Sequence, residues 1–149
     1  MKIIDYFRAE DPSHWLEEME KSDWDAGKYL HELLQSDSLK ELVGENTRVL
    51  LLTEGENLIS FCTLAPLDDI QPTDLTPWIG FVYTFPSYRG HRHVGKLIRH
   101  AEELAKADGA ASVHVSTNHV GLYERYGYTF FGTMKDGGGE DSRVYVKHL

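Results

Sequence analysis

The chain switches repeatedly between runs with the spacing of strands and runs with the spacing of helices, and the switches mark its elements. Lys2 to Arg8 reads as a short first strand. Asp11-Pro12 is a helix start, a capping carboxylate followed by proline at the first helical position, and Trp15, Leu16 and Met19 then share one face. A second helical region runs from about Asp25 to Val43, with Tyr29, Leu30, Leu33 and Leu34 at helical spacing. Ser38-Leu39-Lys40-Glu41 fits a capping box inside it, compatible with two short helices joined near Ser36, and Gly44 ends the region.

The next part reads as strands. Val49-Leu50-Leu51-Leu52, within Arg48 to Thr53, is a run apolar enough to be covered on both faces. Glu54 to Asn57 is a turn, and Leu58 to Leu64 returns as a hairpin. Ala65 to Pro77, rich in proline and aspartate, is a loop; Trp78 to Phe85 is aromatic and β-branched, a further strand that Pro86-Ser87-Tyr88-Arg89-Gly90 breaks. The clearest helix follows, from about Arg92 to Asp108. Leu97, Ile98, Ala101, Leu104 and Ala105 form its apolar stripe, and Glu102 and Lys106 are placed as an outer i,i+4 pair. Ala111 to Thr117 is a strand, Val120 to Tyr126 a short helix stopped by Gly127, and Tyr128 to Met134 and Arg143 to Lys147 are the last strands. The order β-α-α-β-β-β-α-β-α-β-β predicts one α/β domain over residues 1–149, built on a single mixed sheet.

Composition narrows the function. A length of 149 residues suits one core, and 41% hydrophobic with 26% charged residues is ordinary for a globular domain. The formal charge of -9 repels phosphate backbones and argues against nucleic acid, while favouring cationic partners. Cys62 is the only cysteine, so neither an intrachain disulfide nor a thiolate zinc cluster is expected. The opening Met1-Lys2-Ile3-Ile4-Asp5 lacks the pattern of a secretory signal, and no apolar run has the length of a membrane span; the expected location is the cytoplasm, with no membrane partner.

The chemistry concentrates between Trp78 and Tyr128. A strand feeding a helix through Tyr88-Arg89-Gly90-His91-Arg92-His93-Val94-Gly95 leaves backbone N–H groups unpaired at the helix start. Those donors, the helix dipole, Arg89, Arg92 and two histidines suit a pyrophosphate; an ordinary basic turn capping a helix is the plainer alternative. His91-Arg92-His93 has no carboxylates nearby, so no metal is expected there. Gly137-Gly138-Gly139 lacks the Lys-Ser of a phosphate loop and reads as a hairpin tip, with Glu140 and Asp141 beside it as candidates for the mouth of a binding site.

Phe85-Pro86-Ser87-Tyr88-Arg89-Gly90 followed by Gly95-Lys96-Leu97-Ile98 resembles the acetyl-CoA signature of the GNAT N-acetyltransferases. Asn118 and Gly121-Leu122-Tyr123-Glu124-Arg125-Tyr126-Gly127-Tyr128 resembles that family's second signature, at the family's spacing. The resemblance implies a mostly antiparallel sheet of about seven strands with about four helices, and strands 4 and 5 splayed. It implies acetyl-CoA as cosubstrate, held by Arg89, Gly90, His91, Arg92, His93, Val94, Gly95 and Asn118, with backbone near Tyr83 and Thr84 pairing to the pantetheine. It also implies an amine acceptor, attacked directly in a ternary complex, with Tyr123 protonating the departing thiolate. Two departures stand out: the family's small-residue positions fall on Arg92 and Val94, with Gly95 one place late, and Asn118 precedes Tyr123 by five residues where seven is usual.

The base is left open among Asp68, Asp69, Asp74, His114 and His119. A non-catalytic acyl-CoA sensor with the same fold is the rival reading. An edge strand offers a contact for a homodimer.

Overall fold

In the computed structural model, which describes residues 1–149, the first strand is β1 (Lys2–Asp5). It stops three residues earlier than its sequence suggests. The Asp5 carboxylate accepts from the Phe7 amide at 3.1 Å and caps a 3-10 turn over Tyr6–Arg8, giving the backbone a local alternative to the sheet ladder. In α1 (Pro12–Glu20), Asp11 caps the first turn through the His14 amide. α2 (Asp25–Gln35) and α3 (Leu39–Val43) are separate helices, with Asp37 between them in the left-handed region at φ 57. The expected capping box is not formed. The Ser38 hydroxyl instead meets the Ser36 carbonyl at 3.3 Å and the Ser36 hydroxyl at 2.9 Å.

β2 (Arg48–Glu54), β3 (Asn57–Ala65) and β4 (Trp78–Thr84) continue from β1 as an antiparallel meander. α4 (His93–Ala107) then crosses over to β5 (Ser112–Thr117), which runs parallel to β4. The short helix expected before Gly127 is a single 3-10 turn, Tyr123–Tyr126, and the hairpin β6 (Thr129–Lys135) and β7 (Asp141–His148) ends the chain. The seven strands lie in the order β1-β2-β3-β4-β5-β7-β6, the mixed, mostly antiparallel sheet with four helices that the sequence led us to expect.

Each face of the sheet carries its own core. α4 covers one face with Leu97, Ile98, Ala101 and Ala105, packed on Leu50, Leu52, Ile59, Cys62 and Ile79. α1 to α3 cover the other with Met19, Leu30, Leu33, Leu39 and Val43, packed on Val49, Leu51, Leu58 and Phe61. The alternation along β2 and β3 thus feeds two cores, which is why their runs read as continuously apolar. Glu102 does not lie on the outside of α4. It is buried, accepts the Tyr128 hydroxyl at 2.7 Å and the Lys147 ammonium at 3.0 Å, and ties α4 to β7. The Lys147 ammonium also donates to the Tyr126 carbonyl at 2.8 Å, so one network holds the helix, the last strand and the 3-10 turn.

β4 and β5 pair only through Trp78 with His114 and Ile79 with Val115. Beyond Ile79 they part, and a bulge in β4 sits where they do. Phe81 and Val82 together oppose the single Cys62, and Phe81 lies in the left-handed region at φ 49. A non-glycine residue held there is strained, and the surrounding strands hold it in place.

Candidate active site

The splay opens a cavity of about 530 Å³ bounded by β4, β5, the 3-10 turn, the β3–β4 loop and the α2–α3 side. Tyr123 lines it on the side that α4 covers. That side chain is 4% exposed, packs edge-to-face on Tyr128 at 5.8 Å, and is held protonated because burial, with smaller contributions from Cys62 and Asp68, raises its pKa. Cys62, fully buried on β3, has its thiol pushed up to about 12 by desolvation, so it rests as an inert thiol.

Five successive amides, from Gly90 to Val94, donate to no protein acceptor at the start of α4. Gly90 at φ 84 and Arg92 at φ 59 bend this stretch into a concave run of N–H groups, an anion-binding shape. The left-handed φ explains the small-residue preference of the signature at this position, which Arg92 here fills without a side-chain cap bond. The His93 Nδ1 atom is buried without a hydrogen-bond partner, and its desolvation, with Lys96 and His91, lowers its pKa.

Gly95 has a different place from the one its motif suggests. It is buried within α4, and a Cβ on it would come 2.9 Å from the Tyr126 ring. Its missing side chain therefore admits the turn that carries Tyr123, whereas the open amides belong to the residues before it. Arg89 donates from Nε to the Thr84 carbonyl at 2.9 Å, and its guanidinium lies 5.4 Å from the centre of the Tyr83 ring. Tyr83 points to the α2 side, where its hydroxyl donates to Asp23 at 2.5 Å and Trp24 stacks on it. Its backbone pairs with Phe61, so ladder alternation turns the neighbouring Thr84 amide toward the splay. Asn118 is exposed in the loop after β5 and lies off the cavity.

The base candidates separate in space. Asp74 is exposed and does not line the cavity; His114 is buried on β5, shares a hydrogen bond with the Pro77 carbonyl at 3.0 Å and packs on Trp78. Burial lowers the His114 pKa. His119 reaches the rim. Asp68 and Asp69 line the cavity, and Asp68 lies directly on β4, where a Cβ on Gly80 would come 2.0 Å from its Oδ1. Burial, then the charge of Asp69, push Asp68 up to about 7; burial also raises Asp69, which Ser116 partly offsets. The β6–β7 tip contributes Gly137 to the wall in place of Glu140 and Asp141, and Asp141 pairs with Lys135 at 2.6 Å. Gly80 was the unread signal: a glycine inside an apolar strand marks a close approach.

Residues 3–128 match the model of the acetyltransferase (GNAT) family. The chain belongs to that family. This acetyltransferase is similar in fold to an aminoglycoside 6'-N-acetyltransferase complexed with coenzyme A, at TM-score 0.69 and 13% identity over 99% of this chain and 97% of that one. It is similar also to the aminoglycoside 6'-N-acetyltransferase from Enterococcus faecium, at TM-score 0.68 and 13% identity over 99% and 97%. An acetyltransferase from Streptococcus agalactiae 2603 gives TM-score 0.69 and 19% identity over 99% and 98%. At these identities the likeness is one of fold. No curated protein matches the sequence. No helix of this acetyltransferase is long and apolar enough to cross a membrane.

Proposed function

We propose that the protein transfers an acetyl group from acetyl-CoA to a primary amine by direct attack in a ternary complex. The observation that carries this reading is the position of Tyr123, buried and protonated in the wall of a cavity whose sides are the unpaired edges of β4 and β5. The coenzyme diphosphate rests against the Gly90–Val94 amides, beside Arg92 and His93. The pantetheine adds to the β4 edge in the manner of a strand, through backbone near Thr84. An amide freed by the Phe81–Val82 bulge faces the thioester oxygen and holds the charge that develops there. When the C–S bond breaks, Tyr123 gives its hydroxyl proton to the sulfur.

The test is thiol release from acetyl-CoA across a panel of amines, with acetyl-CoA affinity measured separately by calorimetry. Tyr123→Phe should lower kcat by about 10²-fold or more while the acetyl-CoA Kd stays within about threefold. Unchanged turnover in that variant removes Tyr123 from the mechanism. Tight acetyl-CoA binding by the native protein without thiol release from any amine makes the chain a sensor.

A further inference from the structure

The cavity is lined from both faces of the sheet. Its Tyr123 end belongs to the core beneath α4, whereas Trp24, Tyr29 and Leu42 wall its other mouth from segments on the opposite face. The open amides at the start of α4 lie on the first side. A coenzyme entering there leaves the second mouth to the acceptor.

That second mouth is apolar. Tyr29, 47% exposed, lies 6.4 Å from the Phe81 ring, Leu42 is 39% exposed, and Trp24 stands beside them. Tyr29 belongs by spacing to the apolar face of α2, yet it sits at this opening and not in the core. Apolar surface left open in this way marks a recognition face. The charged groups lining the cavity are two carboxyls, Asp68 seated on Gly80 and Asp69 next to it, and Asp136 outside the lining is near enough to raise Asp69 further. No lysine or arginine lines it.

We propose that the acceptor is a primary amine borne on a compact apolar or aromatic body, and that Asp68 takes its proton during transfer. The inference rests on the transferase reading above and adds the substrate class and the base. The aromatic wall holds the apolar body, and the carboxyl draws the amine inward. The ammonium so drawn in first loses one proton to solvent, and the lone pair this frees forms the C–N bond while the thioester π pair moves to oxygen. As that oxyanion collapses, the C–S bond breaks, sulfur takes the Tyr123 proton and the Asp68 carboxylate takes the proton from nitrogen. Solvent then removes a proton from Asp68 and returns one to Tyr123.

The titratable groups that share the cavity with Asp68 are Asp69 beside it, Tyr123 from the 3-10 turn and His119 from the loop after β5, with Asp136 acting on Asp69. With its carboxyl pushed up to about 7, the base form of Asp68 fills as pH rises through that value, so turnover should climb over the same range. A polycation would bring further charges to a lining whose carboxylates are Asp68 and Asp69 alone, leaving the aromatic faces as the weaker partners of the rest.

The experiment compares kcat/KM for phenylalkylamines with that for an aminoglycoside and spermidine, using thiol release on the full chain. The expected result is at least a tenfold preference for the phenylalkylamines; equal or better use of the polycations overturns the substrate class. The acid limb of the kcat profile should centre near pH 7 and disappear in Asp68→Asn, with kcat down at least a hundredfold and the acetyl-CoA Kd within threefold. A retained limb or an unaltered kcat overturns the base. Because burial disfavours the charged carboxylate, native stability falls as pH rises from about 4 to about 7, and Asp68→Asn should unfold at a higher temperature at pH 8. That shift separates lost chemistry from a lost fold. Polycation turnover alone refutes this inference and leaves the transferase intact, whereas silence toward every amine refutes both.

Discussion

Replacing Gly95 with alanine sets two effects of opposite sign against each other within one turn of α4. The gain is conformational: alanine in place of glycine favours a helix interior by up to about 1 kcal/mol, and less near its end. The cost is steric. The new methyl would lie 2.9 Å from Cε1 of Tyr126 and 3.5 Å from its Cζ and hydroxyl. Carbon atoms rest at roughly 3.5–4.0 Å, so ring or helix must give way by about 0.6–1 Å. Overpacking of this size costs about 1–3 kcal/mol, so the net change should be a loss of about 0–2 kcal/mol. In a chain of 149 residues that lowers the unfolding temperature by up to about 8 °C, at roughly 2–4 °C per kcal/mol. Activity should suffer more. Tyr126 ends the 3-10 turn that Tyr123 begins, and the turn is also held by Lys147 at the Tyr126 carbonyl. A displacement near 1 Å at a reacting group costs about 10²-fold, so kcat should fall between about tenfold and a hundredfold. Urea unfolding and thiol-release kinetics on the same preparation read both effects. Full activity together with a stability gain of about 1 kcal/mol would show that only helix propensity acts at Gly95, and the claimed contact with Tyr126 would be wrong.

Arg92→Gly relieves a left-handed residue that costs roughly 1–2 kcal/mol, and after the added freedom of the unfolded chain it should still stabilise by up to about 1 kcal/mol in a thermal melt. The same variant should bind acetyl-CoA several-fold more weakly at low salt, the difference shrinking at high salt; equal affinity at low salt would remove the guanidinium from the diphosphate site. Glu102→Leu strands the Tyr128 hydroxyl and the Lys147 ammonium, and should cost about 2–4 kcal/mol in urea, since Lys147 keeps some access to water. An unchanged midpoint would make that network incidental.

Most of the fold was legible because the apolar spacing is strong in α4 and in β2 to β4, and because turn residues punctuate it. What was missed depends on partners distant in sequence. Glu102 looked solvent-facing because Lys106 stands at the right spacing, yet Tyr128 and Lys147 draw it inward across 26 and 45 residues. Asp5 shortened β1 through a two-residue hydrogen bond that competes with pairing. At the site, the run of open amides followed from local sequence, whereas Tyr123 was singled out only through the resemblance. The bulge at Phe81 and the seat of Asp68 on Gly80 followed from neither, since both arise where β3, β4 and the β3–β4 loop meet.

The two residue pairs that join β4 to β5 leave the sheet as two rafts with a short seam between them. Hydrogen bonding across that seam is too sparse to make the rafts melt together. α4 is what spans them, resting on strands from both sides with Leu97, Ile98, Ala101 and Ala105. Cooperativity in this molecule is therefore carried by greasy contact under one helix more than by the ladder of the sheet. Damage to that helix should uncouple the meander from the C-terminal strands before either comes apart internally.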